Sequence, residues 1–183
     1  MILSSVLARP AGEPKVIAKV TPLPVALNKD FQFRKMKLYF LSSTAPHQGG
    51  ASSVSTGGKQ GGVAPSSKTS TQQDASITFE RDYRLFGAVT ALDRVQRYGN
   101  YFDFFWRVKR PADVTVRLEY RQQKLHAHVQ AQEISYLNVR GTHKTEFKVI
   151  GDDYADDGQV MAWRCLLIEN GVIVAENRSY LWE

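Results

Sequence analysis

Between residues 101 and 122 apolar and polar side chains alternate almost without a break. In "YFDFFWRVKRP" Phe102, Phe104, Trp106 and Val108 fall on one side of an extended chain. In "DVTVRLEYRQ" Val114, Val116, Leu118 and Tyr120 alternate with Thr115, Arg117, Glu119 and Arg121. A repeat of two is the mark of a half-buried strand, because successive Cβ atoms leave a pleated chain on opposite faces. Pro111 and Ala112 predict a corner between the two strands, since proline has no N–H to give to a ladder. "ITFERDYRLFGAVTALD", "LHAHVQAQEISYL" and "TEFKVIG" continue the rhythm and predict further strands. No window of about 11 residues carries a stronger helical repeat. "DRVQRYGN", residues 93–100, is read as a short helical turn or loop.

The last two runs are joined by Asn170-Gly171, the residue pair that a two-residue type I′ turn demands because both central positions need positive φ. The register then predicted sets Glu169 opposite Val172, Leu167 opposite Val174, Trp163 opposite Arg178 and Met161 opposite Tyr180. One face of this hairpin carries Met161, Trp163, Cys165, Leu167, Val174 and Tyr180. The other carries Val160, Ala162, Leu166, Ile168, Ile173, Ala175 and Leu181. Both faces are largely apolar, so both are expected to be covered, one by an opposite sheet and the other by the N-terminal strands, a loop or a second subunit.

Upstream the pattern changes. Residues 45–74 hold 6 Gly, 6 Ser, three charges and no aromatic residue, a composition that cannot bury enough apolar surface to offset the entropy of ordering. They predict a disordered tether. Before it, Met36, Leu38 and Phe40 alternate with Lys35, Lys37 and Tyr39, so this stretch reads as strand in search of a sheet, in the same molecule or in a neighbour. The organisation predicted is a flexible N terminus at 1–14, N-terminal strands at 15–44, the tether at 45–74 and a β body at 75–183.

Charge refines this picture. The net charge is +6, yet residues 1–74 hold 9 Lys and Arg against 3 Asp and Glu, while residues 75–183 hold 15 of each. A neutral body counts against nucleic acid as the main partner, because nucleic-acid binders carry their basic residues on the folded reading surface. No apolar run approaches the roughly 20 residues that cross a bilayer, so no membrane span is expected. "MILSSVLARPAGEP" has an apolar patch with no basic residue ahead of it and no small-residue cleavage site; it reads as a frayed terminus, the alternative being the remnant of a secretory leader.

Candidate chemistry is sparse. His126 and His128, two apart, would share a strand face, with His143 a turn away, but no third ligand is tied to them by spacing, and Lys124 and Gln130 on the same side suggest a solvated face. "DDYADDG" at 152–158 gathers four carboxylates without the phasing of a calcium loop, and is read as a turn. Cys165 is the single cysteine, which excludes an intrachain disulfide; it has no neighbour to activate it and is read as a packing residue. There is no Gly-rich phosphate loop and no nucleophile signature. The expectation is a protein without cofactor, metal or catalytic residues. The stretches 31–40 and 104–110 interleave aromatic rings with Arg and Lys, as glycan and single-strand surfaces do. Tyr101 and Phe105, sharing a face with Asp103 and Arg107, are the surface candidates there.

A Pro corner between two strands, Trp106 in an aromatic strand, an acidic corner with Tyr154 and then "AWRC" with a closing hairpin resemble an immunoglobulin-type sandwich. The runs "YFDFFWRVKRPADVTVRLEYRQ" and "VIGDDYADDGQVMAWRCLLIENGVIVAENRSYLW" are also similar to a small bacterial family of immunoglobulin-like proteins associated with type IV pilus gene clusters. That resemblance implies an all-β, immunoglobulin-like antiparallel β-sandwich with a long Gly/Ser-rich insertion, placed outside the cytoplasm and engaged in pilus-like assembly or adhesion. It carries no catalytic residue over. The expected function is therefore structural, through strand pairing and sheet packing with protein partners or a second copy. Arg34, Lys35, Lys37, Tyr101, Phe105, Val174 and Tyr180 are the residues expected to meet a partner. The alternative is a module for acidic glycan or nucleic acid using Arg34, Lys35, Lys37 and Lys15.

Overall fold

The computed structural model describes residues 12–17, 19–43 and 72–182, with the backbone alone for residues 72–76. The elements in chain order are β1 (Lys15–Ile17), β2 (Phe31–Leu41), α1 (Gln72–Leu85), α2 (Ala91–Val95), β3 (Gly99–Gln122), β4 (Gln130–Ile150), α3 (Asp152–Asp157), β5 (Val160–Glu169) and β6 (Val172–Arg178). The fold is mostly antiparallel β. Two compact units are distinguished: the residues up to Leu41 together with those from Tyr98 on, and the residues from Ser42 to Arg97. Most of the stretch read as a tether, residues 45–71, and most of the stretch read as a flexible N terminus, residues 1–11, lie outside the described residues.

All six strands of the larger unit belong to one sheet, ordered β1-β4-β3-β5-β6, with β2 on β3 as well. The spine is β3, flanked by β4 along most of its length. On its other side β2 pairs with Gly99–Val108 and β5 with Thr115–Gln122. The corner at Pro111 is not a break between strands. Lys109, Arg110 and Pro111 oppose Arg140 alone, and farther on Leu137 and Asn138 oppose Asp113 alone. Two bulges of opposite sense therefore bend one continuous hairpin, which is how a strand turns without losing its partner. Asn138 (φ 49°) and Gly141 (φ 95°) take the left-handed backbone that the irregular stretch of β4 requires, and Asp113 Oδ1 accepts the Asn138 N–H at 2.7 Å.

The bend brings the first half of β3 against β5, the strand paired with its second half. Phe102 and Phe104 from the first half pack on Trp163 of β5, with ring centroids 6.1 and 5.4 Å apart, and Phe104 meets Phe33 and Phe147 edge to face. The alternating residues predicted for the core, Phe102 to Val108 and Val114 to Tyr120, are all buried in this cluster. One polar knot lies inside it. Trp106 Nε1 donates to Thr145 Oγ1 at 2.8 Å, and the Tyr136 hydroxyl lies 2.8 Å from the same oxygen, so neither ring buries an unpartnered polar atom.

The closing hairpin has the expected turn, with Asn170 at φ 50° and Gly171 at φ 77°. Its register holds for Glu169 with Val172 and Ile168 with Ile173, then shifts by one: Leu167 faces Ala175 and Arg164 faces Arg178. The bulge at Val174 was hidden because turn chemistry sets only the first pairs. Both hairpin faces are covered near the turn, while Met161, Tyr180 and Leu181 at the far end stay exposed. The second face holds Leu166, Ile168 and Ile173, and Leu23 packs on it. The segment carrying Leu23 is held there by the backbone: Ile173 N donates to Pro24 O, Ala26 N to Ile173 O and Asn28 N to Val174 O.

The smaller unit corrects the strand expected at "ITFERDYRLFGAVTALD" and the start of α1 at Gln72 cuts into the segment read as tether. The apparent alternation of Ile77 with Phe79 was misleading. In the helix, Phe79 stacks on Tyr83 and Glu80 pairs with Arg84 at 3.4 Å, both at the i,i+4 spacing of one face. Arg97 closes the helix end by donating to the carbonyls of Arg84 and Phe86. A capping box starts α2: Asp93 N donates to Thr90 Oγ1 at 3.1 Å and Thr90 N to Asp93 Oδ2 at 2.9 Å.

Candidate interaction surfaces

A bulge between Phe33 and Lys35 separates two parts of β2. Beyond it, Lys35 pairs with Phe105, Lys37 with Asp103 and Tyr39 with Tyr101, and these three residues of β3 pair in turn with Lys144, Glu146 and Lys148 of β4. Directly opposed residues point to the same side of a sheet, so the nine form three rows on one outer face, with Arg107 beside them. This face collects Lys35, Lys37, Tyr101 and Phe105, four of the seven residues singled out by sequence. It adds Lys144 and Lys148, which the sequence reading missed because a strand distant in the chain brings them, beside Tyr39 and Arg107, which alternation already set with Lys37 and Phe105.

The face is basic but its rings are covered. Tyr101 is only 5% exposed, with Tyr39 beside it at 6.5 Å between centroids; it is not the surface ring expected. Burial follows from its central row position, flanked by strands on both sides. Phe105 is half-buried, with Lys144 Nζ 6.0 Å from its centroid. The same ammonium lies 3.0 Å from Asp103 Oδ2. Five cations stand against the carboxylates of Asp103 and Glu146, so the field is positive, and one of them, Lys144, reaches over the Phe105 ring.

The opposite side of β2 is different. Met36, Leu38 and Phe40 point inward with Phe104 and Phe102, yet they remain 41%, 47% and 42% exposed. Phe40 meets Tyr154 of α3 edge to face at 5.7 Å, and Asn177 Nδ2 reaches Met36 Sδ at 3.8 Å. Near the start of β2, a groove of about 660 Å³ runs between Leu27–Arg34 and Val174–Asn177, and Arg34, Lys29 and Glu176 lie on its walls. The remaining candidates are Val174, Tyr180 and Lys15. Val174 is buried in the main core, Tyr180 is 97% exposed in the last turn, and Lys15 stands on β1 opposite Glu133.

No group of three or more His, Cys, Asp or Glu side chains converges among the described residues. His126 and His128 are not on a strand: residues 123–127 form a turn, His126 at φ 51°, and both rings are exposed. His143 is spent on packing, its ring 4.9 Å from Trp106. The acidic run forms the short helix α3, entered through Gly151 at φ 64° and left through Gly158 at φ 84°. Burial pushes the Cys165 thiol well above its ordinary value of 9.0, so it is protonated at neutral pH.

On the far half of the sheet, the outer face is locked by charge. Glu119 is buried between Arg164, 2.7 Å from its Oε2, and Arg117, 3.6 Å from its Oε1; Arg117 also pairs with Glu133. The guanidinium groups of Arg121 and Arg164 both lie against the Trp182 ring, 4.7 and 5.1 Å from its centroid. Comparisons with protein-family models, curated proteins and solved structures found no match for this chain. Among the described residues no helix is long and apolar enough to cross a membrane.

Proposed function

We propose that the chain is a non-enzymatic structural or adhesive component of a bacterial surface or pilus-like assembly, located outside the cytoplasm and acting through strand pairing and sheet packing. The observation that carries this reading is the state of β2. A strand of eleven residues, paired with β3 alone among the described residues, keeps three large apolar side chains in reach of solvent on the side where Phe102 and Phe104 of β3 are buried. Exposed apolar edges of this kind attract another chain. The immunoglobulin-like sandwich belongs to the same proposal. Packing of Phe102 and Phe104 on Trp163 supports two layers, and the pilus and surface assignments draw on the resemblance of residues 101–183. The test is light scattering over a range of concentrations. Mass should rise above the 20.6 kDa of one chain; a single species of that mass at every concentration, with no partner retained, overturns the reading.

A second reading has its own observation, the outer face where Lys35, Lys37, Lys144, Lys148 and Arg107 converge. It is a binding surface for an acidic glycan or nucleic acid, held by charge. Retention on heparin resin should fall steeply with salt and be lost in Lys35→Glu/Lys37→Glu. Retention unchanged by these substitutions defeats it.

A further inference from the structure

We propose that two copies of the chain pair antiparallel along the edges of their β2 strands that face away from β3, with Leu38 opposite Leu38 of the partner subunit, so that the sheet continues across a two-fold axis. This rests on the assembly reading above and names its occupant. Among the described residues β2 is paired only with β3, and its second edge carries no strand. The bulge at Phe33 and Lys35, where Asn177 of β6 also comes close, interrupts the edge and leaves Lys35–Leu41 as the regular stretch.

Register decides whether that stretch can meet itself. Keeping inner faces together allows only pairings in which residue numbers of opposed partners add to an even sum, because directly opposed residues share a face. Centred on Leu38, Met36 lies opposite the partner's Phe40 and Leu38 opposite the partner's Leu38, so all six inward side chains meet apolar neighbours. On the outer face Lys37 then lies opposite the partner's Tyr39 and Lys35 opposite the partner's Leu41, with no cation facing a cation. Centring on Lys37 sets two lysines directly opposed, which is unfavourable. Centring on Tyr39 moves Met36 opposite the partner's Ser42 and wastes a third of the stripe. The sequence of β2 is therefore self-complementary in one register. Lys37 over a tyrosine ring adds a cation–π contact to the apolar burial. Because the two-fold closes, the product is a dimer rather than an open fibre.

The test uses the full chain carrying Leu38→Cys, oxidised with diamide and run without reductant. Opposed residues in an antiparallel pair have Cα atoms about 4.5–5.5 Å apart, inside disulfide range. Native Cys165 is fully buried and supplies the control. Leu38→Cys should form covalent dimer in most chains; Met36→Cys alone, about 13 Å from its mate in this register, should not. Met36→Cys/Phe40→Cys should again cross-link. Leu38→Lys, at a position already 47% exposed, should fold and raise the dissociation constant about tenfold or more. If Leu38→Lys associates as tightly as the unaltered chain and Leu38→Cys stays uncoupled, the β2 dimer is wrong while assembly through another surface stands. Stronger coupling through Met36→Cys alone than through Leu38→Cys rejects the register. A monomer at every concentration rejects both the dimer and the assembly reading.

Discussion

The two halves of β3 share one strand but live in different surroundings. From Thr115 to Gln122 the strand has β4 and β5 as neighbours; inward it faces the core, and outward its Arg117 and Glu119 are tied into ion pairs beneath Arg164 and Trp182. From Gly99 to Val108 it has β4 and β2, and β2 is left with apolar residues half in water. The residues of β3 itself are equally buried in both halves. What differs is the outer neighbour: β5 is continued by β6 and the chain segment at Leu23, whereas nothing described continues β2. A sheet's finished and unfinished margins can thus lie along one spine, and burial of the spine says nothing about which margin is complete.

The sharpest way to break the finished half is to remove its buried charge. Glu119→Gln keeps the size of the side chain but leaves Arg117 and Arg164 without the carboxylate between them. Removing one member of a buried ion pair strands the other's charge, and the expected loss is about 3 kcal/mol, read from denaturant unfolding. Arg117 retains Glu133, so Glu119→Gln/Glu133→Gln should exceed the sum of the single effects. A single substitution that left stability unchanged would mean that this margin is held by packing alone.

Much of this contrast can be read from the chain and part cannot. The core face of β3 was legible because alternation with period two continues through Pro111, and the Asn170-Gly171 turn was legible because only such residues take its positive φ. The bulge at Val174 was not, since a slip of one residue leaves no local mark when both faces are apolar; at Pro111 the proline announced a corner, but not that β3 runs through it as one strand. The helix α1 was mistaken for strand because Ile77 and Phe79 imitate alternation over too short a stretch. A signal for α2 was present in Thr90 and Asp93, spaced as a capping box. The outer basic face was half visible. Lys35 and Lys37 announce it, but Lys144 and Lys148 join them only through the β3–β4 register.

Alkaline pH offers a milder probe of the finished half. Tyr120 belongs to it, and burial raises its hydroxyl above the ordinary value of 10.0, opposed in part by the hydrogen bond with Gln132. The folded chain therefore keeps this proton where the unfolded chain releases it. Its contribution to stability is complete below 10.0 and declines as pH climbs from there through the raised folded value. Cys165 adds a decline that begins nearer 9.0, for the same reason. Unfolding compared at about pH 8 and about pH 10.5 should show a loss that is smaller in Tyr120→Phe and smaller still in Tyr120→Phe/Cys165→Ala. An identical loss in all three would assign alkaline sensitivity to other groups.

The smallest effect is expected on the unfinished margin, and its smallness is informative. Leu38 is 47% exposed, so Leu38→Ala deletes side chain that the single chain has only half removed from water. Stability measured at dilution, where each chain is alone, should fall by no more than about 1 kcal/mol, roughly half of what full burial of a leucine is worth. At concentrations where copies associate, the same change removes two apolar side chains from the centre of the β2 contact, so the gap between variant and unaltered chain should widen with concentration by mass action. A buried core residue behaves otherwise, with a large loss that is indifferent to concentration. If Leu38→Ala costs several kcal/mol at every dilution, β2 is already covered within the single chain, and the difference between the two halves of β3 disappears.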